Sequence, residues 1–154
     1  QGPFAGNNNN LRFLIVENKE SIKKISEHCE QAWIAESPLL ILVCSDDAYL
    51  EEIYGERGRV YSRQQSGAAI QTLILKLTSQ GIDSCWVGSY SDNELKKELD
   101  IPSDFQIEAI IPTGYEKEKT EKKNKRQLET VLFWEKWGQD RKPTMFKEPK
   151  EKSG

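Results

Sequence analysis

Side-chain amides are concentrated near the start of the chain, where the stretch GNNNN covers residues 6–10 of 154. An amide both donates and accepts hydrogen bonds, so such a run can bind a ligand or satisfy the backbone of its own loop. Asparagine is unfavourable inside helices and strands, and the run directly precedes the apolar stretch LRFLIVE. We therefore expect an irregular loop that leads into a strand.

The residues that usually perform nucleophilic catalysis or bind metals are sparse. His28 is the single histidine and lies among Lys and Glu residues, as a surface histidine does, so Ser-His-Asp and Cys-His chemistry lack support. Cys29, Cys44 and Cys85 are widely spaced and form no C-x-x-C pair, which argues against a disulfide or a zinc site. We expect no metal, and we expect Cys85 to be a buried structural residue within a strand.

Nucleotide-binding signatures of the common kinds are absent from the sequence. No G-x-G-x-x-G follows a strand-like segment and no G-x-x-x-x-G-K-[ST] occurs, which argues against a plain dinucleotide fold and a P-loop NTPase. Carboxylates are plentiful but scattered over polar segments, so no acid–base pair stands out.

Composition and charge limit the class of protein. The net charge is -3 and the sequence contains 36% hydrophobic and 31% charged residues, so no basic field points to a nucleic-acid partner. No apolar run approaches the ~20 residues of a membrane span, and no signal peptide is visible, so we expect a cytoplasmic protein. We expect one domain over residues 1–138, followed by a polar C-terminal tail over 139–154.

Hydrophobic periodicity predicts alternating strands and helices. Asn18 is expected to cap a helix with an apolar stripe, and the segment 49–61 is expected to form a short helix and a surface loop. The longest helix is predicted over 62–81, with Gly81 ending it, and S-x-x-E at 91–94 has the form of a capping box. Strands are predicted at 11–17, 37–47, 82–90 and 105–115.

Small residues near the start of the long helix, Gly67, Ala68 and Ala69, leave two interpretations open. They permit close approach of another helix, which is the more common reason for such a face, or of a flat ligand. The sequence does not decide between them.

Four longer patterns follow one another along the chain. They are PFAGNNNNLRFLIV, AESPLLILVC, SGAAIQTLILKLTSQGIDSCWVGSY, and IEAIIPTGY followed by KKNKRQLETVLFW. In this order and spacing they resemble the nitroreductase family of flavin enzymes, and the third segment, with its S-C-W-x-G strand end, is the most specific. The resemblance covers most of residues 3–138.

The resemblance implies an α+β fold with a mixed sheet flanked by helices, and an intertwined homodimer with FMN at the interface. It implies that a hydride passes from NADH or NADPH through FMN to a small-molecule acceptor such as a nitroaromatic or a quinone. The flavin carries the redox chemistry, and the protein supplies position and electrostatics.

Site residues carried over by the resemblance fall into three groups. Asn7 matches an asparagine that reaches the flavin of the other subunit, and Asn9 stands at a glutamine position. Phe4 and Ala5 stand where two serines are frequent, and Gly6 lets the loop adopt a positive φ. Asn8 and Asn10 are expected to shape the loop, so that Asn7→Ala weakens FMN binding while Asn8→Ala does not.

The remaining cofactor contacts lie later in the chain. The resemblance implies that Val87 and Gly88 offer backbone N–H groups on the N5 side of the flavin. It implies that Lys123 and Lys125 bind the FMN phosphate, with Arg126 as the alternative if the register is shifted by one residue.

Two departures leave other functions open. The family's Arg-x-Ser-x-Arg motif on a preceding helix is not found, because the sequence starts two residues before Pro3, and the paired serines are replaced. A non-catalytic dimer of the same fold that binds a flavin or another small ligand is therefore the alternative. A third possibility is a protein-interaction module that uses the aromatic stretch FWEKW at 133–137.

Overall fold

A computed structural model describes residues 2–116 and 125–141. The chain divides into two units, Gln1–Lys117 and Glu118–Gly154. The first unit contains strands β1 (Leu11–Val16), β2 (Leu39–Asp46), β3 (Asp83–Ser84) and β4 (Phe105–Gly114), and helices α1 (Lys19–His28), α2 (Asp47–Tyr54), α3 (Arg57–Ser79) and α4 (Asp92–Glu98). The expected division into 1–138 and 139–154 stays a prediction.

The four strands form one sheet in the order β1-β2-β4-β3. This arrangement of a sheet with interspersed helices confirms the α+β class. The resemblance implies a mixed sheet, but all three ladders between the described strands are antiparallel. β2 and β3 both run opposite to β4, which lies between them, so no two neighbouring described strands form a parallel pair.

Strand β2 is buried on both faces, as its uninterrupted apolar run predicts. Leu40, Leu42 and Cys44 belong to one core cluster with residues of α1 and α4. Ile41 and Val43 point the other way and pack with Ile70 of α3 and with β4. The alternation of side chains along one central strand thus divides the interior into two layers.

A β-bulge interrupts the β2–β4 ladder. Val43 pairs with Ala109 and the next residue, Cys44, pairs with Ile107, so Glu108 is the extra residue. A bulge shifts the alternation of the strand, and Ile107 and Ile110 consequently share a core cluster although they are three positions apart.

The long helix begins five residues earlier than the sequence predicts. Residues 57–61, expected to be part of a surface loop, form the first turns of α3. Gly55, with φ of 59°, makes the turn after α2, and Gly58 is buried against the backbone of Leu50. A β-carbon on Gly58 would overlap Leu50 O, so this glycine permits close helix packing rather than marking a loop.

The residues predicted to mark helix ends were confirmed at α1 and α3, and the prediction was wrong at α4. Asn18 accepts hydrogen bonds from Glu20 N and Ser21 N at the start of α1, and Gly81 follows α3 with φ of 75°. Ser91 precedes α4 but makes no capping hydrogen bond through its side chain, so the predicted capping box does not form there. Its backbone N–H instead donates to His28 O at 3.0 Å.

The predicted strand over 82–90 is shorter in the structure. Only Asp83 and Ser84 form β3, and Val87 makes an isolated bridge to Ile110. Cys85 is exposed, so the expectation of a buried structural cysteine is wrong. The Cys85 N–H still donates to Pro112 O at 3.2 Å, but Cys85 follows an edge strand of the sheet and is exposed.

In the second unit, the described residues 125–141 contain one short 3-10 turn, Leu128–Thr130. The rings of Phe133 and Trp137 lie with centroids 4.9 Å apart, and Trp137 is 92% exposed. No helix among residues 2–116 and 125–141 has the length and apolar character to cross a membrane.

Candidate functional site: the asparagine loop and the Val87–Gly88 turn

The N-terminal loop contains two adjacent residues in the left-handed backbone region. Gly6 has φ of 54° and Asn7 has φ of 62°, within a 3-10 turn over Ala5–Asn7. Asparagine tolerates this conformation better than most residues with a β-carbon. The Asn7 side chain is exposed and makes no hydrogen bond to residues 2–116 or 125–141, so both ends of its amide are available to a ligand.

Asn8 ties this loop to helix α2. Its Nδ2 donates to Ala5 O and to Tyr54 Oη, both at 3.2 Å, and its Oδ1 accepts from Tyr49 Oη at 3.1 Å. The predicted loop-shaping role of Asn8 agrees with these contacts. Its side chain is engaged on both ends, unlike that of Asn7.

Asn9 and Asn10 have different surroundings. Asn9 is exposed, and its Oδ1 accepts from Leu11 N at 2.9 Å, so the acceptor end of this predicted cofactor ligand already closes a local turn. Asn10 is 1% exposed and donates from Nδ2 to Asp46 O and to Ser62 Oγ, both at 2.9 Å. Asn10 is thus part of the interior, in agreement with its predicted loop-shaping role.

A cavity of about 490 Å³ opens beside this loop. Three of the predicted cofactor-binding residues, Phe4, Ala5 and Gly6, line it. The remainder of the wall is Pro3, Tyr54, Tyr61, Gln64 and Gln65. Aromatic rings and neutral amides, with no charged side chain in the wall, suit a flat, uncharged ring system that carries hydrogen-bonding atoms.

The two predicted backbone donors at the end of S-C-W-V-G differ in availability. Val87 N donates to Ile110 O at 2.9 Å, and Ile110 N donates back to Val87 O at 3.0 Å, so the Val87 N–H is already engaged. The Gly88 N–H makes no hydrogen bond within the described parts of the chain. A β-carbon on Gly88 would meet no atom within 4 Å, so open space adjoins this residue.

Helix α3 is the common support of both segments. A β-carbon on Gly67 would come 4.0 Å from the Trp86 ring, and one on Gly2 would come 3.6 Å from Ala69 Cα. The small residues of α3 therefore admit the N-terminal segment and the S-C-W-V-G segment onto one helix. The described contacts of the small face are thus with two non-helical segments, whereas the two interpretations left open by the sequence named another helix or a flat ligand.

A charged network that the sequence did not indicate adjoins the loop. Arg63 of α3 pairs with the carboxylates of Asp47 and Glu108, and Ser45 Oγ contacts both of these carboxylates. The bulge in β4 supplies Glu108, and the start of α2 supplies Asp47. Only the direct succession of Asp46 and Asp47 after a buried strand hinted at such a cluster, since its members are up to 63 residues apart in the chain.

Two buried cysteines lie in the core beneath α1 and α4, and the partly buried Tyr90 packs against the same cluster. Burial raises the pKa of the Cys29 and Cys44 thiols to about 11, which keeps them protonated and unreactive at neutral pH. Burial also raises the pKa of Tyr90, whose hydroxyl donates to Ile107 O at 2.8 Å. None of these groups is poised for nucleophilic or acid–base catalysis.

The predicted phosphate-binding cations lie in or near the second unit's described segment. Lys123 is outside the described residues. Lys125 and Arg126 are described and exposed. Their predicted role stays a prediction.

Comparison with known proteins gives a consistent result. The model of the Nitroreductase family matches residues 28–115. The chain is 30% identical over 119 residues to a "Putative NADH dehydrogenase/NAD(P)H nitroreductase" of Methanothermobacter thermautotrophicus, a match that covers 74% of this chain and 59% of that protein. It is 27% identical over 135 residues to an iodotyrosine deiodinase of Thermotoga neapolitana, covering 75% of this chain and 70% of that protein.

Solved structures share the fold. The NADPH:FMN oxidoreductase of Vibrio harveyi superposes with a TM-score of 0.77 at 14% identity, over 88% of this chain and 63% of that one. The chain thus spans about three fifths of the first of these relatives and of this structure. The family model covers more than half of the chain, and the chain belongs to the nitroreductase family.

Proposed function

We propose that this protein is an FMN-dependent oxidoreductase that passes a hydride from NADH or NADPH to a small-molecule acceptor. Family membership supports an oxidoreductase, and one solved structure of the same fold is named an NADPH:FMN oxidoreductase. The single observation that carries the FMN proposal is the Gly88 N–H, which has no partner in the described residues and belongs to a residue whose β-carbon position adjoins open space at the end of the S-C-W-V-G segment.

The residues present fit the flavin ring by their hydrogen-bonding character. The Gly88 N–H is a donor suited to an unprotonated ring nitrogen, and the free Asn7 amide can both donate to and accept from a uracil-like edge. The Val87 N–H is already engaged with Ile110 and is not available to the flavin. In the proposed site Val87 therefore serves to fix the position of Gly88. When bound, FMN would supply the acceptance and delivery of the hydride.

The flavin phosphate would be bound by the cationic segment. We propose Lys123 and Lys125 for this role, with Arg126 as the neighbouring alternative. Charge-assisted hydrogen bonds to a phosphate are among the strongest polar contacts available to a protein. An exposed position, as found for Lys125 and Arg126, leaves these cations accessible to an anion.

A homodimer is part of the proposal. β1 is an edge strand of the sheet, and Phe13 and Ile15 on it are 50% and 52% exposed. Leu75 of α3 is 60% exposed and Trp86 is 43% exposed. Several large apolar side chains exposed on one unit are typical of a surface that a partner subunit covers.

A non-catalytic flavin-binding or ligand-binding dimer remains the alternative. Phe4 and Ala5 stand where serines are frequent in the family, so the loop offers no hydroxyl at these two positions. Phe4 instead adds an aromatic wall to the cavity. A loop of this kind can bind a ring without supporting fast turnover.

Two measurements test the proposal. The purified protein is incubated with excess FMN and desalted, and its visible spectrum is recorded. FMN absorbance that stays with the protein supports the cofactor assignment, whereas a colourless protein contradicts it. The loaded protein is then mixed anaerobically with NADH or NADPH, where loss of the flavin absorbance supports the oxidoreductase and an unchanged spectrum supports the non-catalytic alternative.

The acceptor is tested on the reduced protein. Nitroaromatics and quinones are added in separate experiments, and iodotyrosine is included because one relative is named an iodotyrosine deiodinase. The rate at which flavin absorbance returns ranks the acceptors. No return with any of them would contradict the proposed acceptor class.

A further inference from the structure

Gln65 of α3 lies beneath the asparagine loop and contacts both sides of it. It is 4% exposed, and its Oε1 accepts from Ala5 N at 3.1 Å. Its Nε2 donates to Asn8 O at 3.1 Å and to Asn10 Oδ1 at 2.6 Å. One side chain thus joins three positions of a loop that lies more than fifty residues away in the chain.

Backbone groups that can only donate or only accept determine which end of each side-chain amide carries the oxygen. Asp46 O can only accept, so the group of Asn10 that faces it must be the amide NH₂, and Asn10 Oδ1 faces Gln65. Asn8 O also only accepts, so the NH₂ of Gln65 faces both of these oxygens. The remaining Oε1 of Gln65 meets Ala5 N–H, which can only donate.

The chain of hydrogen bonds continues to the charged network. Asn10 Nδ2 donates to Ser62 Oγ at 2.9 Å, and Ser62 Oγ donates to Asp47 Oδ1 at 2.7 Å. Asp47 is paired with Arg63. Each donor in this chain of hydrogen bonds faces an acceptor. Reversing either side-chain amide would place two donors or two acceptors against each other.

We propose that Gln65 is a positioning residue: it holds the Ala5–Asn8 segment in the one conformation that presents Gly6 and Asn7 to the flavin. This inference rests on the proposed function for the identity of the ligand. Both ends of the Gln65 amide, including both of its N–H donors, are engaged within the protein. Gln65 therefore acts through the loop.

The variants separate positioning from simple packing. Gln65→Leu removes all three hydrogen bonds and leaves buried polar groups of Ala5, Asn8 and Asn10 without this partner. Gln65→Glu retains an acceptor for Ala5 N–H, but its second oxygen faces two acceptors when the carboxylate is ionised. The protonated acid has one O–H donor, so at low pH it restores the donor toward one of these two acceptors. Gln71→Glu, on an exposed position of the same helix, is the matched control.

The first measurement needs no cofactor. Hydrogen exchange is followed in a peptide that covers the Ala5–Asn10 region of the cofactor-free proteins. We expect faster exchange in Gln65→Leu and in Gln65→Glu at neutral pH, with wild-type rates in Gln71→Glu. Unchanged exchange in both Gln65 variants would overturn the proposal. If Gln65→Leu fails to fold, Gln65→Glu alone decides this measurement.

The second measurement is the affinity for FMN, followed by quenching of flavin fluorescence at pH 7.5 and pH 5.5. We expect Gln65→Glu to bind roughly tenfold more weakly than wild type at pH 7.5, and the ratio to fall to about threefold or less at pH 5.5. Asp47, Arg63 and Glu108 are present in both proteins, so the ratio compares the two side chains at position 65 beside the same charged network. A ratio that does not change with pH would overturn the proposal. If the wild type binds no FMN, the proposed function fails, while the exchange measurement still decides whether Gln65 holds the loop.

Discussion

The hydroxyl of Tyr54 occupies the space that a side chain on Gly6 would need. A β-carbon built on Gly6 would overlap Tyr54 Oη, and it would come 3.0 Å from Asn8 Nδ2. Gly6 also has φ of 54°, in the left-handed region that costs other residues free energy. Two independent constraints, one local and one tertiary, therefore require glycine at the centre of the loop.

Gly6→Ala should disturb the loop for both reasons. The left-handed backbone alone is expected to cost about 1–2 kcal/mol, and the overlap with Tyr54 adds to it. Thermal or denaturant unfolding measures the loss. Tyr54→Phe removes the overlapping oxygen, so the double variant should lose less stability than the sum of the two single variants. Strict additivity would contradict the close packing of Gly6 and Tyr54.

Gly88→Ala and Gly88→Pro form a matched pair. Alanine retains the N–H, and its β-carbon meets no protein atom within 4 Å, so any fall in FMN affinity should be smaller than that of the proline variant. Proline removes the N–H, and affinity should fall roughly tenfold because one hydrogen bond to the ring is lost. Fluorescence titration with FMN measures both. Equal affinities of the two variants would show that the Gly88 N–H does not bind the flavin.

Asn7→Ala and Asn8→Ala should both weaken FMN binding, but for different reasons. Asn7→Ala removes a free, exposed amide, so affinity should fall roughly five- to tenfold, and the melting temperature should fall only by the cost of placing alanine in the left-handed region. Asn8→Ala removes the ties to Ala5, Tyr49 and Tyr54, so it should lower the melting temperature as well. This replaces the expectation from sequence that Asn8→Ala has no effect. A wild-type melting temperature in Asn8→Ala would contradict the tie between the loop and α2.

The three cysteines should differ sharply in reactivity. Cys85 is exposed and should react quickly with a thiol reagent in the native protein. Cys29 and Cys44 are buried, and the rise of their pKa from 9.0 to about 11 lowers the thiolate fraction at pH 8 by roughly a hundredfold. Mass spectrometry should therefore find one rapidly labelled cysteine in the native protein and three after unfolding. Rapid native labelling of Cys44 would contradict its position in the central strand.

Arg63→Ala should destabilise the protein more than removal of an exposed ion-pair partner does. Arg63 pairs with Asp47 and Glu108, whose side chains are only 13% and 10% exposed, so its loss leaves two largely buried carboxylates without a cation. We expect a loss of about 2 kcal/mol in the free energy of unfolding. Lys24→Ala, which breaks the exposed pair with Glu98, is the control and should change the denaturation midpoint little. Equal losses of stability in the two variants would show that the Arg63 ion pairs contribute no more than an exposed ion pair.

Local patterns were sufficient for most of the elements. The run LLILVC predicted a strand buried on both faces, and Asn18 predicted the start of α1, because burial pattern and capping depend on residues close in the chain. The family resemblance indicated the loop around Asn7 and the turn at Gly88. These are the segments where the structure leaves a side-chain amide and a backbone N–H available to a ligand.

Tertiary contacts determined the features that local sequence patterns did not predict. Gly58 was expected in a surface loop but lies buried against Leu50. Cys85 was expected to be buried but is exposed beside the edge strand β3. The hydrogen bond that Gln65 accepts from Ala5 N spans 60 residues and the one that it donates to Asn10 Oδ1 spans 55, and no local pattern marks the two ends as partners. The sequence alone thus determined which segments form the sheet and which loops are candidates for binding. Which polar side chains meet beneath the loop was decided only when the fold brought α3, the start of β1 and the end of β2 together, since hydrogen bonding depends on distance in space and not on separation along the chain.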